Sequence, residues 1–241
     1  MNANPVVDTR QQILDTARAI IVSKGFAAVG LSEILAAAGV PKGSFYHWFR
    51  SKDQFGEALL ERHFEVYLQQ VDALLAAPGQ TAAARLLAFF GRWHALQSGD
   101  DLTERCLVVK LSAEVCDLSE SMRATLEHGT TQVLARLEGC LRQGISDGEL
   151  TGCPDPAEVA EQLYQQWLGA TLLARVQRSS GPLDRALAIV QEVAELGAHR
   201  DPAIGDVQDE QRNRGHEPED REQYQQADGL VLGGEFDHVR P

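Results

Sequence analysis

Two clusters in this chain of 241 residues carry side chains suited to chemistry. The first is the run Lys42-Gly43-Ser44-Phe45-Tyr46-His47. Lys42, near a helix start, can reach guanine acceptors or phosphate, Ser44 can bond either, and the Tyr46 hydroxyl is a good phosphate donor. Gly43 lets the backbone approach a partner where a side chain would collide. The second cluster centres on Cys106. With Asp101 or Thr103 as N-cap, Cys106 falls in or near the first turn of a helix, where the positive end of the dipole favours thiolate. Arg105 and Lys110 add positive charge beside it, Lys110 at the i+4 position. Thiolate is the form that attacks electrophiles or is oxidised to sulfenic acid. The competing reading is structural: a helical cysteine beside Leu107 and Val108 also serves as a small buried hydrophobe.

The other thiols rank behind it. Cys116 lies nearly three helical turns on, so a disulfide with Cys106 inside one straight helix is geometrically excluded. Cys153 precedes Pro154 in a glycine-containing loop and is expected to be exposed, able to resolve an oxidised partner or pair across a dimer. Cys116 and Cys153 are therefore secondary sensing candidates, and Cys140 is weaker. The spacings contain no C-x-x-C pair, so free thiols in a reducing compartment are expected, with no metal site and no cofactor. His63, His94 and His128 could line a pocket, but isolated helical histidines are more often polar surface or satisfied core groups, and no metal-ligand spacing joins them. With no positioned Cys/His/acid set, an enzyme is not expected.

Helices must position these residues. Composition leans to all-α: hydrophobic residues make up 44% and aromatics only 6% of the chain, and no segment shows sustained strand-like alternation. The first helix opens at Asp8 or Thr9, carries Ile13, Leu14, Ala17, Ile20 and Ile21, and stops at Gly25. A second spans Leu31 to Ala38 and ends at Gly39. Pro41 allows a third, short and aromatic-rich, from Gly43 to Phe49, in which Phe45, Trp48 and Phe49 are expected to pack inward. Ser51 with Gln54 forms a capping box opening a long connector helix to about Ala77. Further helices are expected at 81–97, 103–117, 119–145, 156–178 and 182–198, the fourth of these marked by Asp155 as cap, Pro156 at the first position and Glu158 three residues on.

The net charge of −13 is unevenly spread. Residues 1–53 carry six basic and four acidic side chains, a net +2 that leaves −15 for the remainder. A mildly basic head on an acidic body suits a protein that touches phosphate with one end only. Residues 201–241 hold eleven acidic and four basic residues with little apolar periodicity, a composition expected to be disordered. The organisation read here is a helix-turn-helix DNA-binding domain at 1–53, a helical sensing and dimerisation domain at 54–200, and an acidic tail at 201–241. No basic-apolar leader opens the chain and no run approaches 18 apolar residues, so a cytoplasmic protein without a membrane partner is expected.

Two short helices around Gly39-Val40-Pro41 fit a helix-turn-helix, although generic helical hairpins look alike. The string GLSEILAAAGVPKGSFYHWFRSKDQF resembles the TetR family of repressors, through Ile34, Leu35, Ala38, Gly39, Val40, Ser44, Tyr46, Phe49 and Lys52. That resemblance implies backbone-phosphate contacts from Ser32, Tyr46 and Lys52, and base or groove contacts from Lys42, Ser44 and His47. It also implies an all-helical effector body that dimerises through its last two helices as a four-helix bundle, and a palindromic double-stranded operator. Leu163, Trp167, Ala170, Leu173 and Ala174, with Leu187, Val190, Val193 and Leu196, supply apolar faces that suit such a homodimer, burial within one subunit being the alternative. The strings VPKGSFYHWFRSKDQFGEALLERH and CLVVKLSAEVCDLSESMR are similar to a branch of the family that senses reactive electrophiles and oxidants by cysteine modification. The branch's sensing thiol lies in the motif matched by Cys106. A non-covalent inducer in an apolar pocket is the alternative.

Overall fold

A computed structural model describes residues 8–99 and 107–195. Cys106, its expected caps Asp101 and Thr103, and the acidic tail expected to be disordered lie outside the described residues. Within them the chain forms nine helices: α1 Thr9–Lys24, α2 Leu31–Ala38, α3 Lys42–Trp48, α4 Lys52–Leu75, α5 Ala82–Ser98, α6 Leu107–Val115, α7 Glu120–Ser146, α8 Pro156–Gln177 and α9 Gly181–Glu195. No strand occurs among the described residues, as the composition implies.

Local capping chemistry sets most helix starts. The Asp8 carboxylate accepts from the backbone N–H groups of Arg10 and Gln11, satisfying two donors that the first turn leaves without partners. Ser51 Oγ accepts from Gln54 N at 3.0 Å, but Gln54 Oε1 reaches back one residue further than a capping box requires, to Arg50 N at 2.7 Å. Asp155 caps α8 through Ala157 N at 2.9 Å with Pro156 in the first turn. Glu158 instead accepts from Gln162 Nε2.

The three head helices close over Ile13, Leu14, Ala17, Ile34, Phe45, Phe49 and Phe55, all buried. Full burial of such side chains is worth about 1.5–3 kcal/mol each, enough to order helices too short to persist alone. Behind the head, α4 packs chiefly along α7, α5 lies against α9, and α8 packs on both α7 and α9. Phe90, Trp93, Tyr164 and Trp167 stack at the α5–α8 contact, with the Phe90 and Trp167 rings 5.1 Å apart. Trp167, Leu163 and Val190 are thus buried inside one subunit, the second of the two readings open for those faces. Of the helices longer than a few turns, none among the described residues is apolar enough to cross a membrane.

Candidate DNA-reading face, thiols and the head–body joint

Gly39 ends α2 in the left-handed region, at φ 64°, with its N–H on Ala36 O. A side chain there would be strained, and the turn it makes lets α3 start three residues later. Phe45 fixes the rotation of α3. Its buried ring packs 5.1 Å from Phe49 and 5.6 Å from Phe55, so the opposite face must point away from the core. Lys42, Gly43, Tyr46 and His47 are exposed and Ser44 is half-buried. Tyr46 is 54% exposed although aromatic. A Cβ added at Gly43 would meet nothing within 4 Å, so no neighbour in the chain requires glycine there. Ser32 is exposed in the first turn of α2.

Trp48 departs from expectation. Predicted to pack inward with Phe45 and Phe49, it is 42% exposed and stands edge-on to His47 at 4.9 Å. A seven-residue helix has too few turns for its inward face to be read from spacing, and the aromatic run extends past the stripe that Phe45 and Phe49 occupy. Lys52 also has a place that spacing did not reveal. Its Nζ donates to Val29 O at 2.9 Å and lies 4.9 Å from the Phe26 ring centroid, binding α4 to the α1–α2 connection.

The thiols divide by burial. Cys116 is exposed just past α6. Cys140 is buried, its Sγ 3.8 Å from Ala82 O, and burial pushes its pKa up to about 11, which keeps it a thiol. Cys153 corrects the expectation of an exposed loop cysteine: it is buried. Burial, then the Asp155 carboxylate, raises its pKa. The turn after α7 folds Cys153 N onto Leu150 O, and Leu150 is itself fully buried, drawing the loop inward.

Two features were invisible in the sequence. The Glu114 carboxylate on α6 accepts the backbone N–H groups of Phe26 and Ala27, at 3.0 and 2.5 Å. Through Glu114 the helix that follows Cys106 grips the head directly. Nearby, a Cβ on Gly56 would fall 2.5 Å from Met122 Sδ and 2.7 Å from Phe26 Cζ, so α4 passes α7 and the head with no room for a methyl group. The second feature is a cavity of about 310 Å3 between α1, α4 and α5. His63 lines it with its ring stacked 5.7 Å from Tyr67. Burial, with Arg18 close by, lowers the His63 pKa to about 4, so the ring is neutral at neutral pH. His94 and His128 do not line it: His94 Nε2 meets Asp184 Oδ1 at 2.7 Å, joining α5 to α9, and His128 is exposed. No cluster of three or more metal-ligating side chains occurs among the described residues.

Leu172, Leu173 and Val176 of α8 and Ile189 of α9 are exposed, Val176 at 72%. They lie on the two helices expected to pair in a dimer, but largely at positions other than the buried Leu163 and Trp167.

Comparison with known proteins is consistent along the chain. Residues 13–59 match the model described as "Bacterial regulatory proteins, tetR family", and residues 82–190 match "Tetracyclin repressor-like, C-terminal domain". The chain is 44% identical over 193 residues to the HTH-type transcriptional repressor NemR of Escherichia coli (strain K12), covering 80% of this chain and 97% of that one. It is 34% identical over 163 residues to the transcriptional regulator AcuR of Cereibacter sphaeroides, covering 68% and 74%. The crystal structure of E. coli NemR in its reduced form superimposes with a TM-score of 0.73, covering 77% of this chain and 96% of that one.

Proposed function

The chain belongs to the TetR family of transcriptional repressors, whose members bind operator DNA as dimers, and from that premise we propose a repressor that leaves its operator when Cys106 is modified by an electrophile or oxidant. The observation that carries the DNA-reading part is the exposed Lys42/Gly43/Tyr46/His47 face, held outward by the buried Phe45 and Phe49. Residues 1–53 act as the reading domain and 54–200 as the sensing and dimerisation domain. Lys42, Ser44 and His47 address base edges or the groove, and Ser32, Tyr46 and Lys52 address phosphate. The exposed apolar residues of α8 and α9 pair two subunits, which sets the two α3 helices about 34–36 Å apart on a palindrome.

Cys106 is the sensing thiol, Cys116 is a secondary, exposed one, and burial removes Cys140 and Cys153 from first attack. Similarity to a repressor crystallised in a reduced form supports a redox-dependent reading of the thiol. Alkylation adds bulk to the residue that precedes α6 in sequence, and Glu114 on that helix holds the Phe26 and Ala27 amides. Displacement of α6 is therefore passed to the α1–α2 connection and re-spaces the heads.

The test uses DNA from the region upstream of the protein's own gene. Wild type is expected to lose operator affinity on treatment with N-ethylmaleimide and Cys106→Ser to keep it. An unaltered response in the variant overturns sensing by Cys106. Release that dialysis reverses and thiol reductant does not would favour a non-covalent inducer.

A further inference from the structure

We infer that the cavity between α1, α4 and α5 is a binding site for a small amphipathic carboxylic acid, an aromatic or alkyl carboxylate, held at the joint between the head and the body. At about 310 Å3 its volume lies at the lower end of the ~300–1,000 Å3 typical of small-molecule sites. Leucine, valine and phenylalanine supply seven of its sixteen lining side chains and suit an apolar tail.

The polar part of the wall is the informative one. Trp93, only 6% exposed, leaves its indole Nε1–H without an acceptor. Arg62 spends its terminal nitrogen on Glu65 at 2.7 Å but leaves a buried Nε–H unmatched. Gln97 Oε1 is buried and unmatched as well, and turning that amide over would present its NH2 instead. Buried polar groups without partners cost about 1–3 kcal/mol each, so three in one cavity mark a place where something else supplies the bonds. Two of the three are donors, which calls for an acceptor.

Charge selects the acceptor. Arg18, Arg62 and Arg92 line the cavity against one carboxylate, Asp15, whose Oδ1 accepts from Gln11 Nε2. His63 is neutral at neutral pH, and three arginines against Asp15 and the Glu65 carboxylate paired with Arg62 leave the wall net positive. A carboxylate matches an indole N–H and a guanidinium N–H with charge-assisted bonds, whereas a neutral apolar guest would leave both donors buried and unmatched. Leu14, Asp15 and Arg18 belong to the head, and Phe89, Trp93 and Gln97 to the body. An occupant therefore touches both and favours the head orientation in which they close on it.

The experiment uses the full chain carrying Cys106→Ser, so that its outcome is independent of thiol sensing. Naphthoate and the isosteric neutral naphthamide are titrated calorimetrically. One naphthoate per chain is expected, bound at least about tenfold more tightly than the amide, the order expected of one charge-assisted bond. Arg92→Gln, on the exposed rim, and Trp93→Phe, which keeps a ring and loses the N–H, should each weaken naphthoate about three- to tenfold and leave naphthamide nearly unchanged. Because the anion favours the imidazolium form of His63, binding should also take up protons between about pH 4 and 6.5. Equal affinity for acid and amide, or naphthoate binding untouched by both variants, overturns the assignment.

Discussion

The head meets the body on two sides that are built in opposite ways. On the α6–α7 side the α1–α2 connection is gripped from both directions. Glu114 takes the Phe26 and Ala27 amides, Lys52 takes the Val29 carbonyl, and Gly56 passes Met122 and Phe26 with no space for a methyl group. On the α5 side, α1 stands off from α4 and α5 across a cavity with unmatched donors in its wall. A packed contact has few arrangements and transmits displacement, whereas a hollow one yields until something fills it. The two sides thus suit different inputs, one mechanical from α6 and one chemical from a ligand.

The largest expected effect comes from crowding each side in turn. Gly56→Ala should lower unfolding free energy by about 2–3 kcal/mol, because the new methyl overlaps Met122 and Phe26, while the larger Leu96→Phe, facing the cavity, should change it by less than about 1 kcal/mol. Urea unfolding of the two variants compares them directly, and equal losses would remove the distinction between packed and hollow. Next comes pH. His63 has its proton affinity lowered by burial, from 6.5 to about 4, so the unfolded chain binds a proton that the folded chain refuses across that range. Its stabilising share is complete above pH 6.5 and is lost as pH falls towards 4, worth about 3 kcal/mol. Subtracting the stability profile of His63→Gln from wild type should isolate that slope on the hollow side; parallel profiles would deny it.

Smaller effects separate clamp from phosphate contact. Lys52→Met should cost about 1 kcal/mol of stability through the lost Val29 bond, and should lower the salt dependence of operator binding by about one counterion only if Lys52 also reaches phosphate. Lys42→Ala, exposed and free of the joint, should leave stability within about 0.5 kcal/mol yet weaken operator binding.

What could be read in the sequence was local. Asp8, Ser51, Asp155 and Gly39 announce helix ends because capping acts over a few residues, and each end lies within a few residues of its expected place. The α3 face was readable because Phe45 and Phe49 share one side of a helix. Trp48 was misread because seven residues do not define a full stripe. Cys153 was misread because loop composition says nothing of what folds over it. Glu114 lies 88 residues from Phe26, and the cavity unites helices from three separated stretches. No spacing rule reaches across such distances, and those contacts form the joint.

The central claim is that α6 controls the head through Glu114. Its most direct test compares the loss of operator affinity caused by N-ethylmaleimide in wild type and in Glu114→Gln. The variant keeps a carbonyl acceptor for one of the two amides and meets the other with an NH2 group. A loss of at least about tenfold is expected in wild type and of less than about twofold in the variant. Equal losses in both would contradict that claim.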